Sequence, residues 1–139
     1  MVQVFLSGEF DHTLDPKGRV TLPARYREHF SRGVVLVLLP NREPCLHIYH
    51  PDEWNRFDEN HLEPLDVFGK PEDSWTTRDI YKKLDEVEPD RQGRVLIPAQ
   101  RIKELGLTGK VKILGNRNHL EIWNPATLEE YEQRRSGNA

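Results

Sequence analysis

Two stretches of the chain set the same residue types at the same spacing. Asp15, Gly18, Arg19, Val20, Leu22 and Pro23 form one, and Asp90, Gly93, Arg94, Val95, Ile97 and Pro98 repeat it in register. An Asp four positions ahead of an Arg, with a Gly between, suits a tight turn that presents a guanidinium. Arg19 and Arg94 have the fork geometry that binds phosphate, or the O6/N7 edge of guanine in the major groove. Lys17 suits phosphate as a point charge. Gly18 and Gly93 have no Cβ, so another backbone can approach their N–H groups. Arg91 adds a cation to the second loop, where the first has Pro16. Asp15 and Asp90 either cap the turn alone or also orient the arginines, and neither is expected to touch DNA. Arg25 and Arg27 either add phosphate contacts or are simply solvated. Duplication for packing alone accounts for Val20/Val95 and Pro23/Pro98. It accounts poorly for the cations, because a hairpin tip needs Asp and Gly but no positive charge, although arginine also serves as a surface ion-pair partner.

No other arrangement suggests chemistry of comparable specificity. Cys45 and His47 share a strand face, but two ligands do not make a metal site, so no metal or cofactor is expected. The sequence has no Gly-x-Ser-x-Gly, no His-Glu-x-x-His and no phosphate-cradling glycine loop, so an enzyme with a small-molecule substrate is not expected. With Cys45 alone, no disulfide forms within one chain. No run is apolar for anything near ~20 residues, so no membrane span is expected. Residues 1–6 lack a basic segment before an apolar core, which points to the cytoplasm. Net charge is −3, weakly against a nucleic-acid binder. The charge is polarised along the chain, however. Acid collects at Asp58, Glu59, Glu63, Asp66, Glu72 and Asp73, and the loops are basic. Trp54, Trp75 and Trp123 read as core or subunit-interface residues.

The loops need elements to hold them. A strand around residues 9–14 should lead into a type I turn over 15–18, with Pro16 presetting φ, and residues 19–22 form the return strand. Val20 and Leu22 share one face. Pro23 should open a helix over 24–31 with Tyr26 and Phe30 one turn apart, followed by a strand over 33–39 and another over 45–49. Pro51 opens a helix anchored by Trp54 and Phe57. The second copy follows the same order: Pro98 opens a helix with Ile102 and Leu105 as its stripe, strands cover 110–114 and 120–123, and Asn124-Pro125 starts a final helix. Residues 58–75 read as a partly irregular acidic connection, 76–84 as a helix with Ile80 and Leu84 one turn apart, and 134–139 as a frayed tail.

The repeated Asp-x-x-Gly-Arg-[Val/Leu]-x-[Leu/Ile]-Pro motif resembles the MraZ family, as do Arg25-Tyr26-Arg27-Glu28-His29 and Cys45-Leu46-His47-Ile48-Tyr49. The likeness runs from about residue 5 to 131 and is weakest across 58–81. It implies an α+β fold, a double-split β-barrel of two intertwined SpoVT-AbrB-like half-domains. The corresponding bounds are residues 9–56 for the first repeat, 57–83 for the connection, 84–127 for the second repeat and 128–139 for a C-terminal helix and tail. The resemblance further implies a bacterial, nucleoid-associated transcriptional regulator that forms an octamer-class homo-oligomeric ring. Its partner would be double-stranded DNA, as direct repeats upstream of the division and cell-wall gene cluster, which it would repress together with its own gene. The loops are that family's DNA-contacting surface, which carries the role to Lys17, Gly18, Arg19, Arg91, Gly93 and Arg94, with Arg25 beside them. The copies are unequal: Gln92 stands opposite Lys17 and Gln100 opposite Arg25. An oligomeric protein-interaction module without DNA binding is the alternative, supported by the acidic balance.

Overall fold

The computed structural model describes residues 4–137. In chain order it contains β1 (Glu9–Thr13), β2 (Arg19–Thr21), a 3-10 turn (Ala24–Tyr26), β3 (Val34–Val37), β4 (Leu46–Tyr49), α1 (Pro51–His61) and α2 (Pro71–Tyr81). There follow β5 (Leu84–Val87), β6 (Arg94–Leu96), α3 (Ala99–Leu105), β7 (Lys110–Gly115), β8 (Leu120–Trp123) and α4 (Pro125–Gly137). The fold is mixed α+β. Six strands form an antiparallel sheet in the order β1-β7-β8-β4-β3-β5, and β2 and β6 form a separate two-stranded ribbon, with a single bridge from Val20 to Leu14.

The pairing exchanges strands between the halves. β1 of the first half pairs with β7 of the second, and β5 of the second pairs with β3 of the first. The equivalent strands β2 and β6 pair with each other, as do β4 and β8. A pseudo-two-fold axis therefore passes near the Val20–Val95 pair and the His47–Glu121 pair. Neither half could complete its sheet alone.

Alternation decides what is buried on each side. Leu36, Leu46, Ile48, Val111, Ile113, Leu120 and Ile122 face one core with Phe30. The ribbon lays Val20, Leu22, Val95 and Ile97 on that face, and each is essentially inaccessible. Burying a side chain of this size contributes about 1.5–3 kcal/mol, which fixes the ribbon against the sheet. On the other face, Val35, Val37 and Tyr49 pack against Trp54, Leu62 and Ile80 from the α1–α2 pair. Cys45 and Trp123 pack there against Leu128 of α4. The continuous apolar run of β3 thus reflects burial on both faces.

Several local expectations are corrected. Residues 24–31 do not form an α-helix: after the 3-10 turn come further turns, with Ser31 N–H donating to Glu28 O and Gly33 N–H to Phe30 O. Tyr26, His29, Phe30 and Ser31 are poorer helix formers than Gln100, Lys103, Glu104 and Leu105, which do sustain α3. The acidic connection at 58–75 is partly irregular as expected, with turns over 62–70 between the end of α1 and the start of α2. Pro71 occupies the first turn of α2, followed by Glu72 and Asp73 at its positive end, so it starts a helix where a break was expected. Leu84 begins β5 because the free edge of β3 offers it a ladder, so it does not extend the helix. α4 continues through Gly137, with Arg134 stacked over Tyr131. The expected fraying at 138–139 lies outside the described residues, as do residues 1–3 of the expected cytoplasmic N-terminus. Trp54 and Trp123 are buried as expected, whereas Trp75 is 57% exposed. No strand ladder closes a barrel among the described residues, and no helix there is long and apolar enough to cross a membrane.

Candidate nucleic-acid interface

The two basic loops are copies at atomic detail. In the first, Gly18 N–H donates to Asp15 O at 2.9 Å and Asp15 N–H to Arg19 O at 2.9 Å, closing a tight reverse turn. The Asp15 carboxylate accepts through Oδ1 from the backbone N–H groups of Lys17 and Arg19, both at 2.9 Å. Its Oδ2 accepts from Arg19 Nε at 2.8 Å. In the second, Gly93 N–H donates to Asp90 O and Asp90 N–H to Arg94 O, both at 2.9 Å. Asp90 Oδ1 accepts from Gln92 N–H and Arg94 N–H at 2.9 Å, and Oδ2 from Arg94 Nε at 2.6 Å. Each aspartate therefore caps its turn and orients its arginine at once.

Only Nε of each guanidinium is used. The terminal nitrogens of Arg19 and Arg94 have no protein partner among the described residues, and the side chains are 27% and 31% exposed. The edge left free is the one that makes bidentate contacts to phosphate or guanine. Rotamer freedom is already restricted by the aspartate, so binding need not supply that order.

Both carboxyls are held below the usual Asp range, above all by the backbone N–H of the arginine four residues on, with its guanidinium adding to the effect. A depressed folded value means that these bonds favour the fold above the unfolded value of about 3.9. They are lost only as the pH falls through the lower folded value, so both loops are intact at neutral pH.

Register brings the loops together. β2 and β6 pair Arg19 with Leu96, Val20 with Val95 and Thr21 with Arg94. Val20 and Val95 face the core, so Arg19, Thr21, Arg94 and Leu96 line the outer face. Arg19 and Arg94 are diagonal neighbours, with Cα atoms roughly 7–8 Å apart. Each loop is also tied to the opposite strand: Ile97 N–H donates to Gly18 O at 2.8 Å and Leu22 N–H to Gly93 O at 2.9 Å.

Lys17 and Arg91 are exposed on the two loops. Arg25 is not gathered into them. Its guanidinium lies over the rings of Phe10 and Tyr26, at 5.6 and 5.8 Å from their centroids. Arg27 plays a part that sequence alone did not single out. Its Nε donates to Leu22 O at 3.0 Å and its stem crosses Gly93. Ile102, its counterpart, lies over Gly18.

Those contacts explain both glycines. Gly93 has φ +76°, and a Cβ there would meet Arg27 Cδ at 2.6 Å; Gly18 has φ +84°, and a Cβ would meet Ile102 Cδ1 at 3.2 Å. Gly93→Ala should therefore destabilise the fold by about 1–3 kcal/mol, and by more than Gly18→Ala, because Arg27 must also give up its bond to Leu22. Urea denaturation of the two variants checks the order, and an unchanged Gly93→Ala midpoint would refute the strain.

The family model described as "MraZ protein, putative antitoxin-like" matches residues 5–71 and 80–138. A protein named "Transcriptional regulator MraZ" from Caldanaerobacter subterraneus subsp. tengcongensis is 35% identical over 128 residues, covering 92% of this chain and 87% of the relative. One of the same name from Heliobacterium modesticaldum is 35% identical over 127 residues, covering 91% and 86%. Another from Chlorobaculum parvum is 31% identical over 135 residues, covering 88% and 81%. With both halves matched and the duplicated Asp–Arg loops on one ribbon, the chain belongs to the MraZ family.

Proposed function

We propose that the protein is a DNA-binding transcriptional regulator that lays the β2–β6 ribbon and its flanking loops on duplex DNA. The observation that carries this reading is the pair of aspartate-held arginines whose free guanidinium edges share the ribbon's outer face. The diagonal between them fits within the ~12 Å width of the major groove, which admits a two-stranded β-ribbon. Arg19 and Arg94 contact base edges or phosphates, Lys17 and Arg91 contact phosphates, and the N–H groups of the glycine turns lie close to the DNA backbone. Asp15 and Asp90 stay off the DNA as positioning residues. Arg25 lies further out, on Phe10 and Tyr26, and adds at most a peripheral phosphate contact. The names of the relatives support regulation of transcription, and no enzymatic role is proposed.

The finer reading is that two half-domains, residues 9–56 and 84–127, intertwine in a double-split barrel. The exchanged pairings of β1 and β5 support it. Residues 57–83 connect the halves, and residues 128–139 continue α4 into the tail. Subunits assemble in an octamer-class ring in the cytoplasm, on the nucleoid, and repress the division and cell-wall gene cluster and their own gene through upstream direct repeats. The fully exposed Phe68 and the exposed Trp75 supply apolar surface for subunit contacts.

Fluorescence anisotropy on DNA from upstream of its own gene, over a range of salt concentrations, tests the proposal. Lys17→Ala should weaken binding to every sequence and lower the log–log salt slope by about 0.9 per neutralised charge lost on each engaged subunit. An unchanged slope would remove Lys17 from the phosphate contacts, and the absence of any salt-dependent binding by wild type would leave the interaction-module reading.

A further inference from the structure

On the face of the sheet away from the ribbon lies a cluster that DNA contact does not use. Cys45, just before β4, and His47 on β4 alternate with the core residues Leu46 and Ile48. The ladder places His47 opposite Glu121 of β8. One donor atom from each of Cys45, His47 and Glu121 lies within 4.8 Å of the other two, and all three residues are buried. Sequence spacing shows only two of these residues together. The third arrives from the other half of the chain, through the β4–β8 pairing.

Two features distinguish this cluster from an ordinary buried polar network. His47 is 9% exposed, yet its Nδ1 has no hydrogen-bond partner, a condition that native interiors rarely leave unexplained. Glu121 is also 9% exposed. It accepts from Asn116 Nδ2 and Trp123 Nε1 at 2.9 Å and from His119 Nε2 at 3.1 Å. No Lys or Arg pairs with it among the described residues. A carboxylate is thus buried beside a thiol and an imidazole whose Nδ1 is unpartnered, with His119 as its only titratable ion-pair partner among the described residues.

We infer that Cys45, His47 and Glu121 bind one divalent transition-metal ion of the zinc class, at the junction of the two halves. Thiolate, imidazole and carboxylate are the donor types zinc takes, while magnesium and calcium prefer oxygen alone. A tetrahedral ion with bonds of about 2.0–2.3 Å holds one sulfur and two nitrogen or oxygen ligand atoms about 3.3–3.6 Å apart, so the cluster needs to contract by up to roughly 1.5 Å.

The ligand set is one thiol, one imidazole and one carboxylate. The incoming ion forms metal–sulfur, metal–nitrogen and metal–oxygen bonds as the S–H bond breaks, and one proton leaves to water. The ion's two positive charges are balanced by thiolate and carboxylate, so the bound site is neutral. No electron is transferred.

The test uses the full chain, stripped with a chelator and titrated with Co²⁺. Cys45 is the sole cysteine, so a thiolate-to-cobalt absorption band can arise from no other residue. The expected result is one Co²⁺ per chain, displacement of the band by Zn²⁺, one proton released per ion, and a melting temperature higher in Zn²⁺ than in chelator. Cys45→Ser should abolish the band, and Glu121→Gln should weaken binding at least about tenfold. If either variant fails to fold, the wild-type readouts decide. No thiolate band, or binding with a histidine-only spectrum from exposed positions such as His61, would overturn the site.

Discussion

Arg19→Ala is expected to lower affinity for the specific site at least about 100-fold while leaving the protein folded, since each bidentate arginine–base contact contributes about 1–3 kcal/mol and every engaged subunit loses one. The stability cost should be small. The Arg19–Asp15 pair is partly exposed, and exposed ion pairs contribute about 0–1 kcal/mol. Asp15 also keeps its bonds to the backbone N–H groups of Lys17 and residue 19, so the turn survives loss of the side chain. Arg94→Ala should act in the same way but less strongly, because Gln92 replaces the neighbouring lysine. Anisotropy titrations beside thermal melts separate the cases. Lost binding with a lost melting transition would make Arg19 structural, and wild-type affinity would remove it from the interface.

Separation of operator repeats by half a helical turn, about 5 base pairs, is expected to reduce affinity by a large part of the 10²–10⁴-fold that multivalency can supply. The reason is the small size of each contact. One ribbon presents Arg19 and Arg94, flanked by Lys17 and Arg91, on a chain whose net charge is −3. Such a patch binds weakly alone. In the proposed ring, seating one ribbon places the next at high local concentration, provided the following repeat faces the same side of the duplex. A half-turn insertion rotates that repeat away, and a full-turn insertion should restore much of the loss. Equal affinity for one isolated repeat, the native array and the half-turn array would contradict assembly-based binding. Light scattering should find a large homo-oligomer, and a monomer would contradict it too.

The duplicated loop was the most legible part of this chain. Asp, Gly, Arg and Pro act over a few residues, and short-range turn chemistry is local by nature, so Asp15-to-Arg19 and Asp90-to-Arg94 were readable directly. The buried strands were readable because Val34–Val37 is an uninterrupted apolar run and Leu46–Tyr49 and Leu120–Trp123 set aliphatic residues at alternate positions. Less visible were features set by tertiary pairing. Leu84 has the spacing of a helix and becomes a strand because β3 leaves an edge open. The exchange of β1 and β5 between halves leaves no local trace. Arg27 resembles any surface arginine until Gly93 is brought beneath it. Glu121 joins Cys45 and His47 only through the β4–β8 register, which no spacing rule within one half could supply. Pro71 was ambiguous for another reason, since a proline ends one element and opens the next with equal ease.

Whether the ribbon loops lie on DNA is tested most directly by site-specific photo-cross-linking. A photoreactive amino acid placed at Lys17 or at Gln92, both exposed loop positions, should capture a duplex carrying the upstream repeats. The same group placed at the exposed Glu59 of α1 should not. Capture at 17 and 92 but not at 59 is the predicted result. Efficient capture from position 59, with none from either loop, would contradict the account.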